Sequence, residues 1–214
     1  LVLVMLAAML PVFPIQARAE ENTYILDATA DLAPMSAGTK QDGDFYTVGT
    51  DGYFTLIYAV KTKIDSSNKT FDDGYTAAQR INFQSKTNEE KGMVAAISFT
   101  TSAAATIKLW WVEGGDDNRQ FALYDSTGQI IAKTEETLAK NALCISELSV
   151  DAAGTYFLGV PDGSNYLFKL EVKEQAAAPT IITNTLDVTN DMEAFPTNTK
   201  ADGDYDVVND YFTV

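Results

Sequence analysis

The stretch Ala105-Thr-Ile-Lys-Leu-Trp-Trp-Val-Glu-Gly-Gly-Asp-Asp-Asn-Arg-Gln-Phe-Ala-Leu-Tyr-Asp125 decides the fold class. It holds both tryptophans, Trp110 and Trp111, and Arg119, one of three arginines. Residues alternate over 106–112 and again over 120–124, on either side of a Gly-Gly-Asp-Asp-Asn corner. Alternation sends successive side chains to opposite faces of an extended strand. Clustered Gly, Asp and Asn supply the backbone freedom that a reversal needs, so the stretch predicts two antiparallel strands joined by a loop. Ile107, Leu109 and Trp111 share the face expected to be core. Lys108, Trp110 and Val112 share the other, which sets Trp110 beside Lys108 and toward solvent.

The same signature runs outward in both directions. Short β segments are expected at 24–28, 45–48, 53–60, 79–83, 93–100, 129–132, 143–148, 154–160 and 166–172. Between them lie Asp42-Gly43, Asp51-Gly52, Asp73-Gly74, Thr127-Gly128 and Asp162-Gly163. Many short strands with regular turn signals, and no long segment of helical period, predict an all-β, jelly-roll-like antiparallel sandwich. The helical alternatives, 88–91 and 135–140, are a turn or two each.

Composition narrows the chemistry. The 214 residues carry a formal charge of −15, which disfavours nucleic acid and anionic membrane surfaces as partners. There is no histidine, so a His base, a Ser-His or Cys-His nucleophile pair and a His-based zinc site are excluded. A single cysteine, Cys144 in Leu-Cys-Ile, rules out an internal disulfide and reads as a small apolar residue. Adjacent acids such as Asp72-Asp73 point to opposite faces of a strand and do not form a catalytic dyad. No nucleotide-binding glycine loop and no Gly-x-Ser-x-Gly elbow occurs, and no enzymatic function is expected of the chain. A domain beyond Val214 remains open as the source of catalysis in a parent protein.

Residues 1–19 read as a secretory signal: an apolar run to Leu10, then Ala17-Arg18-Ala19 as a small-x-small cleavage site. The run is shorter than the ~20 residues of a spanning helix. The mature module is therefore expected outside the cell, secreted or at the surface, without membrane insertion, and the lack of disulfides points to a bacterial source. Residues 22–174 form one module, with 13 basic and 21 acidic side chains. At ~150 residues such a module buries roughly 68–70% of its unfolded surface and can stand alone. Residues 175–182, opening Gln-Ala-Ala-Ala-Pro-Thr, read as a linker. Residues 183–214 then repeat the module's opening. Leu186-Asp-Val-Thr-Asn-Asp matches Leu26-Asp-Ala-Thr-Ala-Asp, Thr199-Lys-Ala-Asp-Gly-Asp-Tyr matches Thr39-Lys-Gln-Asp-Gly-Asp-Phe, and Tyr211-Phe-Thr-Val matches Tyr53-Phe-Thr-Leu. The expectation is the truncated start of a second copy in a tandem array.

The residues suited to binding are few. Trp110 offers an aromatic face with Lys108 beside it, the pairing by which a ring packs on sugar C–H groups while an ammonium bonds hydroxyls or carboxylates. Arg80 and Arg119, each at an expected strand start, suit a bidentate grip on a carboxylate or a polyhydroxy ligand. Lys61 and Lys63 share one strand face. The plainer alternatives are packing for the tryptophan, loop-tying through an Asp such as Asp73 or Asp116 for the arginines, and solvation for the lysines. Asp42-Gly-Asp44, Asp72-Asp-Gly74 and Asp116-Asp-Asn118 leave a structural calcium possible, but turns recruit the same residues for geometry alone. No cofactor is expected.

Five blocks in order carry a resemblance: Tyr53-Phe-Thr-Leu-Ile, Gln79-Arg-Ile-Asn-Phe, Ile97-Ser-Phe-Thr-Thr, Asn118-Arg-Gln-Phe-Ala-Leu-Tyr-Asp and Gly154-Thr-Tyr-Phe-Leu-Gly. Together they resemble the β-sandwich carbohydrate-binding modules attached to pectate lyases and related polysaccharide-degrading enzymes of anaerobic bacteria. The resemblance covers the first module and the repeat. It implies a non-catalytic sandwich that binds plant polysaccharide, pectin in the best-known members, with lysines prominent in the site. Lys61, Lys63 and Lys108 come from strand direction, not from the resemblance. Because galacturonate is anionic and the module acidic, pectin binding needs a local basic patch, and a neutral glycan stays open. The rival expectation is a structural or adhesin repeat with no glycan site.

Overall fold

The computed structural model describes residues 21–32, 42–59, 61–115, 119–135, 139–176, 207–209 and 212–213. The proposed signal, most of the linker and most of the repeated segment lie outside the described residues. Among the described residues, no helix is long and apolar enough to cross a membrane.

Residues 18–177 form one compact unit. Its described residues hold twelve strands: β1 (Thr23–Asp27), β2 (Phe45–Val48), β3 (Phe54–Ile57), β4 (Thr62–Thr70), β5 (Thr76–Phe83), β6 (Ala96–Thr101), β7 (Ala105–Glu113), β8 (Ala122–Tyr124), β9 (Ile130–Lys133), β10 (Leu143–Val150), β11 (Gly154–Gly159) and β12 (Asn165–Glu174). They form two antiparallel six-stranded sheets. The first runs β10-β7-β12-β5-β4, with β1 also paired to β12, and the second runs β2-β3-β6-β11-β8-β9. Their facing side chains, among them Phe54, Leu56, Ile97, Ile107, Leu109, Trp111, Leu123, Leu158 and Leu170, are fully buried in one apolar core. This is the expected all-β sandwich. Burial of such side chains drives it at roughly 25 cal/mol per Å² of apolar surface.

The opening stretch folds differently from expectation. Strands β7 and β8 do not pair. β7 lies between β10 and β12, and β8 lies between β11 and β9. The chain leaves the first sheet at Glu113 and enters the second at Ala122. The strand at 93–100 begins late, at Ala96, because Met93 and Ala95 take positive φ angles of 61° and 57°, outside the extended region. β4 went unexpected, since its sequence Thr-Lys-Ile-Asp-Ser-Ser-Asn-Lys-Thr is almost wholly polar. A four-residue helix, α1 (Ala28–Asp31), follows β1 and is capped by the Asp27 carboxylate on the Thr29 and Ala30 amides. The expected helical turn at 88–91 is a 3-10 turn over Glu89–Lys91.

Two local features shape the outer face of the first sheet. β12 carries a bulge between Leu167 and Lys169, so Phe168 and Lys169 both face outward while Leu167 and Leu170 stay in the core. β5 pairs with β12 only from Ile81 to Phe83, and the rest of the β4–β5 hairpin folds over that face. Its tip turns at Phe71–Tyr75, where the Gly74 amide bonds the Phe71 carbonyl and Gly74 takes φ 88°. Thr29 of α1 holds the hairpin by accepting from the Ala78 and Gln79 amides.

In the second unit, β13 (Val207–Asn209) pairs with β14 (Phe212–Thr213). Val207 stands opposite Thr213, the register in which Thr47 stands opposite Thr55.

Candidate functional site

The outward face of β7 carries Lys108, Trp110 and Val112, as alternation requires. Trp110, however, is only 3% exposed. The hairpin tip closes over it, forming a small second core of Phe71, Ala77, Trp110, Val112 and Phe168. The Trp110 indole Nε1–H donates to Asp73 Oδ2 at 2.8 Å, and Tyr75 meets its ring edge-on at 5.9 Å. Tyr75 in turn donates to the Asp27 carboxylate at 2.9 Å. The expectation of a solvent-facing Trp110 is therefore corrected: its face was read correctly, but the polar hairpin that covers it was not.

Two ammonium groups flank this tryptophan. Lys169 Nζ lies 4.2 Å and Lys108 Nζ 5.0 Å from the Trp110 ring centroid, within cation–π range. Lys169 also pairs with Glu171 at 3.5 Å. The Asp73 carboxyl is held below the usual carboxylate range, first by the Tyr75 amide and then by the Trp110 indole and the Lys108 and Lys169 charges. Trp111 points the other way, fully buried, with its Nε1–H donating to Ser146 Oγ at 3.0 Å.

Beside Lys108 lies a half-open groove of about 540 Å³, lined by Lys108, Lys133, Glu135, Ile145, Ser146 and Glu147. Lys108, Ile145, Ser146 and Glu147 come from β7 and its edge neighbour β10. Lys133 and Glu135 come from β9 and the residues just after it, so the groove spans edges of both sheets. Lys108 Nζ stands 3.9 Å from Glu147 Oε1, a loose pair with Glu147 exposed. The lining thus offers ammonium donors and carboxylate acceptors around an apolar patch at Ile145. Of the six expected binding residues, Lys108 alone lines this groove.

Trp110 packs beside Lys108, whereas Lys61, Lys63 and Arg80 lie on or next to β4 and β5, on the side of the sheet away from β10. Lys61 precedes β4, and Lys63 lies on β4 opposite Asn82, both exposed. Arg80 is engaged bidentately by Asp65, and its guanidinium carbon lies 3.7 Å from the Tyr166 ring centroid. The loop-tying alternative thus describes Arg80, with Asp65 as the acid. Arg119 packs against Gly115 and Gly163. A Cβ on Gly115 would overlap the Arg119 side chain, and one on Gly114 would lie 2.7 Å from the Ser164 carbonyl oxygen and 3.0 Å from Tyr166 Cζ, so the Gly-Gly pair admits the arginine and the close approach of the Ser164 backbone. Tyr166, Lys133, Glu135, Glu147 and Lys169 were not singled out from sequence. The bulge in β12 and the meeting of β9 with β10 are tertiary events with no local signal.

Among the described residues, no three acidic or thiol side chains converge as a metal site. Asp73 is committed to Tyr75 and Trp110, and Asp42 pairs with Lys91 at 2.7 Å. Residues 116–118 lie outside the described residues.

No protein-family profile and no curated protein matches the chain. Solved structures similar to it include a chain from a study of glycan recognition in the Ruminococcus flavefaciens cellulosome, 17% identical, covering 75% of this chain and 99% of that one, with a TM-score of 0.42. Another is the C-terminal CBM6 of LamC, a marine laminarinase from Zobellia galactanivorans, 9% identical over 72% of this chain and 100% of that one, TM-score 0.33. A third is the catalytic unit of an alpha-1,3-glucanase from Streptomyces thermodiastaticus, 14% identical over 65% of this chain and 29% of that one, TM-score 0.31.

Proposed function

We propose that this chain is a non-catalytic carbohydrate-binding module of an exported bacterial protein. It holds an enzyme or a cell on plant cell-wall polysaccharide, with homogalacturonan the favoured ligand. The observation that carries the reading is the groove beside Lys108, where Lys108 and Lys133 can meet uronate carboxylates while Glu135 and Glu147 accept sugar hydroxyls. Charge-assisted bonds of this kind are the stronger ones. Lys61, Lys63 and Arg119 are further cations outside the groove that a long polyanion could reach, while Arg80 and Trp110 serve by shaping their own neighbourhoods. Tandem copies fit the role, because linked weak sites gain avidity. The Val207–Thr213 pair, at the place of Thr47–Thr55, supports a repeated module.

Affinity electrophoresis of the full chain in low-ester pectin and in neutral glucans tests this. Retardation by pectin that weakens with added salt, and weakens again in Lys108→Ala and Lys133→Ala, is expected. Retardation by neutral glucan alone overturns the uronate ligand. No retardation by any polysaccharide leaves the structural repeat as the better reading.

A further inference from the structure

The groove meets the second sheet only along β9 and the residues just after it, at the edge farthest from β2. On β2, β3, β6 and β11, every outward side chain described is uncharged. Phe45, 71% exposed, stands opposite Ile57, and the next row runs Thr47, Thr55, Ser98 across three strands. Beyond it, Thr100 and Thr155 share a hydroxyl–hydroxyl bond at 3.0 Å. The β8 side of this face is covered by Met93, which packs on Ala122, Tyr124 and Phe157. On the β2 side the outward Phe45 and Thr47 are exposed.

An exposed phenyl on a strand has no role in the sandwich core. The sequence nonetheless repeats an aromatic there: Asp42-Gly-Asp-Phe45 recurs as Asp202-Gly-Asp-Tyr205. We propose that this patch is a second polysaccharide contact, distinct from the groove and suited to a neutral glycan. The ring of Phe45 packs on the C–H face of a sugar, and the hydroxyl row bonds its edges. Neighbouring strands are ~4.8 Å apart, so a chain lying across them meets a hydroxyl at about every sugar ring. Among the described residues the strands of the patch carry no outward cation, and Lys91 nearby is paired with Asp42 at 2.7 Å. An apolar protein partner would strip water from the hydroxyl row without repaying it. A second copy of this chain, at −15, would be repelled.

The test uses the full chain in gels of hydroxyethylcellulose and of low-ester pectin. Phe45→Ala is expected to weaken retardation in hydroxyethylcellulose about tenfold, the scale of an aromatic contact centre, and to leave pectin mobility unchanged. Phe45→Tyr, the residue of the second copy, is expected to stay within about twofold of the parent. The proposal is overturned if Phe45→Ala matches the parent in hydroxyethylcellulose, or if the parent is not retarded there. It is equally overturned if sedimentation shows a dimer that Phe45→Ala dissociates. Pectin retardation that survives either of the first two results leaves the groove reading standing, whereas a parent retarded by no glycan removes both.

Discussion

The Trp111 indole meets the Phe121 ring edge to face, with centroids 5.6 Å apart and planes at 86°. Trp111 lies on β7 of the first sheet and Phe121 directly ahead of β8 in the second, so this contact joins the two sheets across the core. The Gly-Gly-Asp-Asp-Asn corner lies between them in sequence, and the aromatic pair fixes where each strand re-enters its sheet. Phe121 is held again by Phe83 at 5.8 Å and by the bond from its amide to Thr134 Oγ1.

Trp111→Ala is expected to destabilise the module by about 3–5 kcal/mol, the range for deleting a fully buried large aromatic. A double-mutant cycle with Phe121→Ala should show coupling of roughly 0.5–1.5 kcal/mol beyond burial. Urea unfolding measures both. Additive losses would mean that the rings are neighbours without mutual preference.

Trp110 separates packing from binding. Trp110→Ala should cost about 3–5 kcal/mol, through the cavity it opens under the hairpin. Trp110→Phe should cost less, about 1–2 kcal/mol, chiefly through the indole bond to Asp73. A Trp110→Ala protein that unfolds at the parental urea midpoint yet has lost glycan retardation would restore this residue as a sugar platform.

Asp73 links the same cluster to pH. Its carboxyl is lowered in the folded state, so its stabilising contribution is fully present above the ordinary carboxylate value and is lost as pH falls through the lowered one. The urea midpoint should drop between pH 5 and pH 2.5, and Asp73→Asn should flatten part of that drop. An unchanged pH profile in the variant would assign acid sensitivity to other carboxylates.

Cys144 is half-buried beside the core. Burial, and then the charge of Glu113, push its thiol above the ordinary value, so thiolate is scarce at neutral pH. Native protein at pH 7 should alkylate with iodoacetamide many times more slowly than urea-unfolded protein. Equal rates would show that the site opens readily.

Strand periodicity was legible wherever one face is apolar. The alternation of 106–112 and of 154–160 identifies β7 and β11, and Trp111 was read as inward for the same reason. It failed where burial does not follow polarity. β4 has little apolar alternation to read, yet it forms a long hairpin because its partner β5 docks Ile81 and Phe83 into the core. That hairpin is what hides Trp110, so one unread strand changed the character of the candidate site. Pairing was also illegible between β7 and β8. Two alternating runs around a Gly/Asp corner look alike whether they pair with each other or cross to the facing sheet. Only the inward rings Trp111 and Phe121 distinguish the two, and they do so through a contact made in the folded state.

The bulge at Phe168 gives β12 a change of parity in mid-strand. Before it, odd positions point inward, as Leu167 does. After it, even positions do, as Leu170 and Val172 show. One strand therefore serves two differently phased neighbourhoods. Its first half answers β5 and the Gly114 corner, and its second half answers β1. The extra residue delivers a phenyl and an ammonium side by side to Trp110, where a regular strand would offer a single side chain. Removing that residue would reverse the inside and outside of every position on one side of it. At this point, strand length encodes which groups face solvent as firmly as residue identity does.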